Sequence, residues 1–188
     1  MPWHVVDLRQ QPTVHLQAAE VLVAAFAHIS AWPTLDAGRR EVADLLEDED
    51  NLLRGALDPA GRLLGWVGAL PTYDYAWELH PLAVLPQQQG RGIGAALVAD
   101  LEQQLRARGA LTVYLGTDDE IGQTSLAGQD LFPDVLAQAA GLRNIDRHPF
   151  EFYQKLGYSV VGVIPDANGP GKPDILMAKR LAGTHEHS

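Results

Sequence analysis

The chain has 188 residues, of which 46% are hydrophobic, carries a formal net charge of −10 and contains no cysteine; this composition predicts one globular domain over residues 1–188 whose core needs no disulfide. The lack of cysteine excludes thiolate metal sites and cysteine nucleophiles, and the acidic balance argues against nucleic-acid binding and favours a cationic partner. No apolar run reaches 18 residues and the first residues do not resemble a signal peptide, so we expect a cytoplasmic protein without membrane contact.

The first half of the chain predicts a strand, two helices and a β-hairpin. The strand and the two helices are expected at residues 3–8, 14–29 and 37–50, and the second helix ends in a run of acids. In the hairpin, "LLRGAL" and "RLLGWVGAL" flank the turn "DPAG". Pro59 suits the first central position of this turn, and Gly61 suits a left-handed position.

The second half of the chain alternates strands and helices. A strand at 77–85, a helix at 92–109 and a strand at 111–116 form a predicted β-α-β unit. Two short helices follow at 130–141 and 148–157, and the segment 158–181 predicts two strands around a turn-rich loop. We expect the tail, residues 181–188, to fray.

Three glycines in five positions, residues 90–94, lie at the start of the predicted helix at 92–109. The start of a helix leaves backbone N–H groups unpaired and carries a partial positive charge, so an anion bound there is stabilised. Glycine lets phosphates approach these groups closely, and Arg91 adds a cation. The run therefore predicts a pyrophosphate site formed by Gln89, Gly90, Arg91, Gly92, Ile93, Gly94 and Ala95.

The same helix has two different faces. Its apolar residues recur every four positions and are expected to lie on a sheet: Ile93, Leu97, Leu101 and Leu105. Its polar residues are expected to face water: Asp100, Glu102, Gln103, Arg106 and Arg108.

The spacing of the glycines distinguishes between the known phosphate motifs. A P-loop would need Gly-Lys-Ser/Thr, and the dinucleotide motif lacks its third glycine because Ala95 stands there, although Asp118 lies at a tolerable distance. The order Gln/Arg-x-x-Gly-x-Gly/Ala, present at Gln89–Gly94, resembles the acetyl-CoA loop of the GCN5-related N-acetyltransferases (GNAT). A dinucleotide site and an ordinary glycine-rich helix cap stay as alternatives.

The strand before the loop contains Pro81, which donates no ladder hydrogen bond and predicts a bulge or a gap between strands. The resemblance to the acetyltransferases implies that the pantetheine arm of acetyl-CoA inserts into such a gap. It would then pair with the backbone of Leu82, Ala83 and Val84. The N–H of Leu82 would stabilise the negative charge on the thioester oxygen. The alternative for Leu82 and Val84 is packing in the core.

Two polar residues lie on the same strand. Glu78 is expected on the same face as Leu82 unless the bulge reverses it, where it would bind a substrate ammonium and take its proton. His80 shares that face as a candidate substrate contact. The alternatives are a solvent-facing edge position for Glu78 and a hydrogen-bonded structural role for His80.

Further candidates for contact with a cationic substrate lie in loops. Tyr73 precedes the strand at 77–85, and Asp118 and Asp119 follow the strand at 111–116, where a ligand crevice is expected. The acids at 47–50 are more consistent with a solvated face. The histidines show no ligand spacing, so we expect no metal.

The helix "HPFEFYQKLG" places Phe150, Tyr153 and Leu156 at helical spacing, so Tyr153 is expected to face inward. A buried hydroxyl needs a partner, and the departing sulfur of coenzyme A would be one. The alternative is a core tyrosine that bonds to the backbone.

A narrower resemblance is found from about Leu63 onward. The segments "GWVGALPTYDYAWELHPLAV", "YLGTDDE" and "HPFEFYQKLGYSVVGV" are similar to the chromosomal type of the aminoglycoside 6'-N-acetyltransferases. This resemblance implies a GNAT fold, an α/β (α+β) fold with a central, mixed, splayed sheet of about seven strands flanked by helices. It also implies acetyl-CoA as co-substrate, a small cationic amine as acceptor, a homodimer, and catalytic roles for Glu78, Leu82 and Tyr153.

The reaction expected from these parts is direct attack of the amine on the thioester in a ternary complex, because the chain offers no cysteine and no serine in a nucleophile elbow. Two alternatives remain. The acceptor would be a polyamine or a protein or peptide amine in the first, and the chain would be a non-catalytic acyl-CoA binder or sensor in the second.

Overall fold

The structure, a computed structural model, describes residues 3–181. These residues form seven β-strands and five α-helices in the predicted order, with ends that differ from the predictions by a few residues. The elements are β1 His4–Asp7, α1 His15–Ala25, α2 Leu35–Glu47, β2 Leu52–Leu57, β3 Leu63–Leu70, β4 Ala76–Val84, α3 Ile93–Ala107, β5 Thr112–Asp118, α4 Val135–Ala140, α5 Phe150–Lys155, β6 Ser159–Ile164 and β7 Asp174–Arg180.

The chain divides into two compact units, the first ending at Leu111 and the second beginning at Thr112. The single domain expected from the sequence therefore stays a prediction. Of the tail that was expected to fray, Leu181 is buried, and residues 182–188 lie outside the described residues. Within the described part of the chain, no helix combines the length and the apolar composition that crossing a membrane requires.

The first unit contains a four-stranded antiparallel sheet in the order β1-β2-β3-β4. Its core lies between the sheet and the helices α1 and α2, where Trp66 is fully buried and donates from Nε1 to the carbonyl of Ala18 at 2.9 Å. Leu53 belongs to this core, so its neighbour Arg54 points to the opposite face. There Arg54 bonds to Asp100 of α3, with Nε 2.5 Å from Oδ2, so α3 covers the second face.

The polar side of α3 is less exposed than the sequence predicts. Asp100 is paired with Arg54, and Glu102 is only 4% exposed and accepts a hydrogen bond from Arg106 at 3.1 Å. The expectation that Asp100 and Glu102 face water is therefore wrong. The reason is that α3 packs across three strands, β2, β3 and β4, so its buried surface is wider than one apolar stripe.

The predicted hairpin between β2 and β3 is confirmed. The amide of Gly61 donates to the carbonyl of Asp58 at 2.9 Å, and Gly61 has a φ of 78°, a left-handed conformation that glycine adopts without strain. The carboxylate of Asp58 accepts from the amides of Ala60 and Arg62, which holds the turn closed.

The bulge predicted at Pro81 is also confirmed. Val67 of β3 pairs with Leu82, but Ala69 pairs with Leu79, so β4 has one residue more than β3 across this step. At this step the backbone of β4 lies very close to β3. A Cβ on Gly68 would collide with the carbonyl oxygen of His80, so only glycine fits there.

The second unit contains three antiparallel strands in the order β5-β7-β6. Helix α5 packs against β7, and α4 packs against β6. The loop between β5 and α4 is anchored by Asp119, which is fully buried. This anchor and the position of α5 define where the predicted site residues of the second unit lie.

Candidate functional site

The cofactor loop, residues 85–95, joins β4 to α3 through a 3₁₀ turn at Pro86–Gln88. Gly90 and Gly92 have φ values of 73° and 81°, and a Cβ on either would meet nothing within 4 Å. The positive φ values favour glycine at both positions, and the space beside them is open to a ligand.

The backbone amides of this loop are available to a ligand. The first bond at the start of α3 runs from the amide of Ala96 to the carbonyl of Gly92 at 3.0 Å. Within residues 3–181, the backbone N–H groups of residues 90–95 donate no hydrogen bond to any acceptor. Unpaired N–H groups at a helix start without side-chain bulk fit the pyrophosphate of acetyl-CoA.

Two side chains of the cofactor loop have distinct environments. Gln89 donates from Nε2 to the carbonyl of Val84 at 3.2 Å, which ties the loop to the end of β4. That carbonyl, expected to pair with the pantetheine arm, therefore already accepts a hydrogen bond. Arg91 is exposed and borders a cavity of about 300 Å³ beside Ile93.

The bulge in β4 changes the predicted grouping of Glu78 and Leu82. Ala83 belongs to the core under α1 and α2, whereas Leu82 pairs with Val67 on the other face. Glu78 pairs with Leu70, which packs against the core under α1 and α2. Glu78 and Leu82 therefore lie on opposite faces, because the extra residue of the bulge reverses the alternation between them, which is the exception that the sequence analysis allowed.

His80 contacts two residues that the sequence analysis did not identify. Its Nε2 lies 3.1 Å from Oε1 of Glu41 on α2, and its ring centroid lies 5.9 Å from that of Trp32. Trp32 donates from Nε1 to Oε2 of Glu41 at 3.2 Å. We refer to Trp32, Glu41 and His80 as the α2–β4 cluster. Glu78 lies two residues from His80 on the same strand, on the face that α1 and α2 cover.

The electrostatics of the cluster depend on Glu41. Its hydrogen bond to His80 lowers the pKa of Glu41 below the usual value, the bond from Trp32 adds to this, and partial burial opposes it. The carboxyl group is therefore ionised at neutral pH. The side chains of His80 and Glu41 keep 38% and 26% of their surface exposed, so the cluster borders solvent.

Tyr153 faces inward, as predicted, and is 8% exposed. Its ring contacts those of Phe152 and Tyr158 edge to face, with centroids 5.1 and 5.6 Å away. Burial raises the pKa of Tyr153 far above its usual value, so the hydroxyl stays protonated. No described residue forms a hydrogen bond with this hydroxyl, so the alternative of a tyrosine bonded to the backbone is not observed.

The two acids after β5 have different surroundings. Asp119 is fully buried and accepts from the amides of Gly122, Gln123 and Thr124 at 2.7 to 2.9 Å. The expected contact of Asp119 with a substrate is therefore not supported, because its carboxylate is used to shape the loop. Asp118 is half-buried and accepts from the side-chain amide of Asn168.

His148 links the end of β5 to the start of α5. Its Nδ1 accepts from the amide of Phe150 at 3.2 Å, so Nε2 carries the hydrogen and donates to the carbonyl of Asp118 at 3.1 Å. Burial lowers the pKa of His148, although Asp118 and Asp119 act in the opposite direction. This neutral histidine therefore fixes the helix that carries Tyr153.

The remaining predicted residue, Tyr73, is 68% exposed in the loop between β3 and β4. The predicted site residues are divided between the two units. The first unit contains Tyr73, Glu78, His80, Leu82 and the cofactor loop, and the second unit contains Asp118, Asp119 and Tyr153. Among residues 3–181, no three His, Asp or Glu side chains are grouped so that they would hold a metal ion.

Comparisons with known proteins give the family to which the chain is similar. A model of the acetyltransferase (GNAT) family matches residues 18–127. The chain is similar to an aminoglycoside 6'-N-acetyltransferase whose crystal structure contains coenzyme A, with 36% identity and a TM-score of 0.89 over 97% of this chain and 99% of that one. The aminoglycoside 6'-N-acetyltransferase from Enterococcus faecium is similar over the same shares of both chains, with 36% identity and a TM-score of 0.86.

A third relative is similar over part of its length. A mycothiol acetyltransferase from Stackebrandtia nassauensis is 37% identical over 106 residues, which are 53% of this chain and 34% of that protein. The chain thus matches about a third of that relative.

These likenesses confirm the predicted GNAT fold, with seven strands flanked by helices. The open amides of the cofactor loop fit the pyrophosphate of coenzyme A, which the similar crystal structure contains. A family model that matches more than half of the chain, together with relatives of 36% identity that cover nearly all of it, shows that the chain belongs to the acetyltransferase (GNAT) family, the enzymes of which use acetyl-CoA as co-substrate.

Proposed function

We propose that the protein transfers the acetyl group of acetyl-CoA to the 6'-amine of an aminoglycoside. The observation that carries this proposal is the likeness to two aminoglycoside 6'-N-acetyltransferases at 36% identity over 97% of the chain. The net charge of −10 supports a polycationic acceptor, because a negative field attracts it.

The amides of the cofactor loop would hold the pyrophosphate, so that the thioester is presented at a fixed position. The backbone N–H of Leu82 would stabilise the negative charge that develops on the thioester oxygen. Glu78 would bind the acceptor ammonium and hold it while its proton is removed, since only the neutral amine attacks the carbonyl carbon. Asp118 and Tyr73 are proposed as further contacts of the acceptor.

Tyr153 is proposed to donate a hydrogen bond to the departing sulfur. A thiol has a pKa of about 8.5. Burial raises the pKa of the Tyr153 hydroxyl far above the pKa of a thiol. Full transfer of the phenolic proton to the thiolate would therefore be unfavourable. A hydrogen bond from the neutral hydroxyl stabilises the thiolate without this cost.

The test is steady-state acetyl transfer with pairs of kanamycin-like compounds that carry either an amine or a hydroxyl at the 6' position. We expect turnover with the amine and none at that site with the hydroxyl, and mass spectrometry should place a single acetyl group on the 6' nitrogen. Equal turnover of the pair, or faster turnover of a polyamine or a peptide amine, would overturn the proposed acceptor. Tight acetyl-CoA binding without any turnover would indicate the non-catalytic binder.

We also propose a homodimer that acts in the cytoplasm on a small molecule, with no nucleic acid or membrane as partner. The resemblance to the aminoglycoside 6'-N-acetyltransferases supports the dimer. In the second unit, Leu136 and Val161 are 76% and 59% exposed beside a groove of about 340 Å³, and exposed apolar side chains of this kind are consistent with a covered surface. Light scattering on the purified protein tests the dimer, and a monomeric mass would contradict it.

A further inference from the structure

The α2–β4 cluster joins residues that are far apart in sequence. Glu41 and His80 are separated by 39 positions, and their side chains lie 3.1 Å apart between α2 and β4. The second oxygen of Glu41 accepts the indole hydrogen of Trp32 at 3.2 Å. Both oxygens of the carboxylate are therefore engaged, one by each partner.

The chemistry of these partners determines where the hydrogen of His80 lies. An ionised carboxylate only accepts hydrogen bonds, and the indole of Trp32 only donates. The imidazole nitrogen that faces Glu41 must therefore be the one that carries the hydrogen, which is Nε2. In the neutral ring, Nδ1 then has a free lone pair, and no group between residues 3 and 181 bonds to it.

The surroundings keep the ring in this orientation. The ring of Trp32 packs against that of His80 with centroids 5.9 Å apart, and Trp32 packs in turn against Phe26 at 4.9 Å. Glu78 lies two residues away on the same face of β4, roughly 7 Å along the strand. A proton acceptor with a fixed lone pair thus lies on the same strand and the same face as the carboxylate that is proposed to bind the ammonium.

We propose that Glu41 is a positioning residue that fixes the Nε2–H form of His80, so that Nδ1 takes the proton of the acceptor ammonium. This inference rests on the proposed acetyl transfer. In the step, one proton passes from the ammonium nitrogen to Nδ1, and the imidazole becomes an imidazolium whose other N–H is already bonded to Glu41. The lone pair left on the amine forms the C–N bond, and the C–S bond breaks with its electrons on the sulfur. The second proton of the nitrogen passes to that sulfur, so the products are the neutral amide and the free thiol of coenzyme A.

The variant Glu41→Gln tests this role with almost no change of shape. Because the indole of Trp32 only donates, the amide oxygen of Gln must face Trp32, and the amide NH₂ must then face Nε2 of His80. The imidazole nitrogen that faced a carboxylate now faces a donor. The substitution should therefore move the hydrogen of the neutral ring from Nε2 to Nδ1, which removes the proposed proton acceptor.

The first readout is the ¹⁵N spectrum of histidine-labelled protein without substrate, recorded at alkaline pH, with the signals of His80 assigned by their loss in His80→Asn. We expect the Nε2–H form in the wild type and the Nδ1–H form in Glu41→Gln. The second readout is steady-state kinetics. The kcat of Glu41→Gln should fall at least about tenfold, with the KM for acetyl-CoA and the melting temperature near those of the wild type.

The double variant Trp32→Phe/Glu41→Gln provides the rescue. Without the indole donor, the amide of Gln is free to turn its oxygen toward His80, so the Nε2–H form and several-fold of the lost kcat should return. Glu47→Gln is the matched control, because Glu47 is an exposed acid at the end of the same helix. Its spectrum and its kinetics should equal those of the wild type.

The results separate this inference from the proposed function. A wild type that acetylates no amine overturns the proposed function, whatever the spectrum shows. A Glu41→Gln variant that keeps the Nε2–H form, or that changes to the Nδ1–H form without losing kcat, overturns the role of Glu41 alone. A kcat that the double variant fails to restore, although the Nε2–H form returns, also overturns it.

Discussion

The cofactor loop and the α2–β4 cluster are built in opposite ways. The loop presents backbone amides, and its two left-handed glycines contribute only the absence of a side chain. The cluster consists of side chains from a loop, a helix and a strand, held by hydrogen bonds of 3.1 and 3.2 Å. The loop is therefore specified by a few adjacent residues, whereas the cluster exists only when distant segments fold together.

This difference separates two functions within one reaction. Every acetyl-CoA-dependent enzyme of the family must bind the same pyrophosphate, and a backbone site does this without depending on side-chain identity. The acceptor amine must be chosen and deprotonated, which requires side chains of particular charge and proton affinity. Substitutions in the two regions should therefore affect different kinetic constants.

The largest effect is expected for Glu78→Gln, which keeps the size of the side chain and removes its charge. Loss of the charged contact to the ammonium should lower kcat/KM for the amine by roughly 100-fold, with little change in the KM for acetyl-CoA. Glu20→Gln, an exposed acid on α1, is the control for charge. A Glu78→Gln enzyme within threefold of the wild type would contradict the role of Glu78.

The second largest effect is expected for Gly92→Val in the cofactor loop. A β-branched residue at a φ of 81° is strained by about 1–3 kcal/mol, and relief of this strain moves the amides that follow. The KM for acetyl-CoA should rise roughly 30-fold, while the KM for the amine stays nearly constant.

Gly109 offers a matched control for this substitution. It has a φ of 80°, a Cβ there would also meet nothing within 4 Å, and it follows the opposite end of α3. Gly109→Val should therefore lower the melting temperature by a similar amount as Gly92→Val but leave the KM for acetyl-CoA unchanged. If both variants raised that KM equally, the effect would come from general destabilisation.

A smaller effect is expected for Tyr153→Phe, which removes one hydrogen bond to the sulfur. The kcat should fall roughly tenfold, and the melting temperature should hold, because the hydroxyl has no partner among the described residues. Since burial raises the pKa of Tyr153, the hydroxyl stays protonated up to high pH. The ratio of the two kcat values should therefore be constant from about pH 7 to 10, and a ratio that falls toward 1 in this range would contradict a buried donor.

The sequence predicts the fold and the cofactor loop well because their determinants are local. Apolar periodicity locates the helices and strands, and the spacing of Gly90 and Gly92 before α3 identifies the loop without knowledge of the rest of the fold. The likeness to the aminoglycoside enzymes from Leu63 onward rests on motifs of the same local kind.

The parts that the sequence analysis missed depend on register and on pairing between distant segments. Pro81 predicts a bulge, but only the pairing with β3 shows that the extra residue separates Glu78 and Leu82 onto two faces. Glu41 is one acid among several on α2, and no local pattern marks it as the partner of His80. A weak signal was available in Trp32, a large aromatic residue in the linker just before α2.

The smallest effect is expected for Arg91→Ala, and its dependence on salt should differ clearly from that of Gly92→Val. Arg91 is the cation of the cofactor loop but is exposed, so its attraction to a phosphate is screened and is worth less than about 1 kcal/mol. The dissociation constant of coenzyme A, measured by calorimetry, should rise only about threefold. At about 1 M salt, where the Debye length is ~3 Å, this difference should vanish, whereas the defect of Gly92→Val should persist because it arises from geometry. An Arg91→Ala defect larger than that of Gly92→Val would mean that the loop binds phosphate through its side chain rather than its backbone.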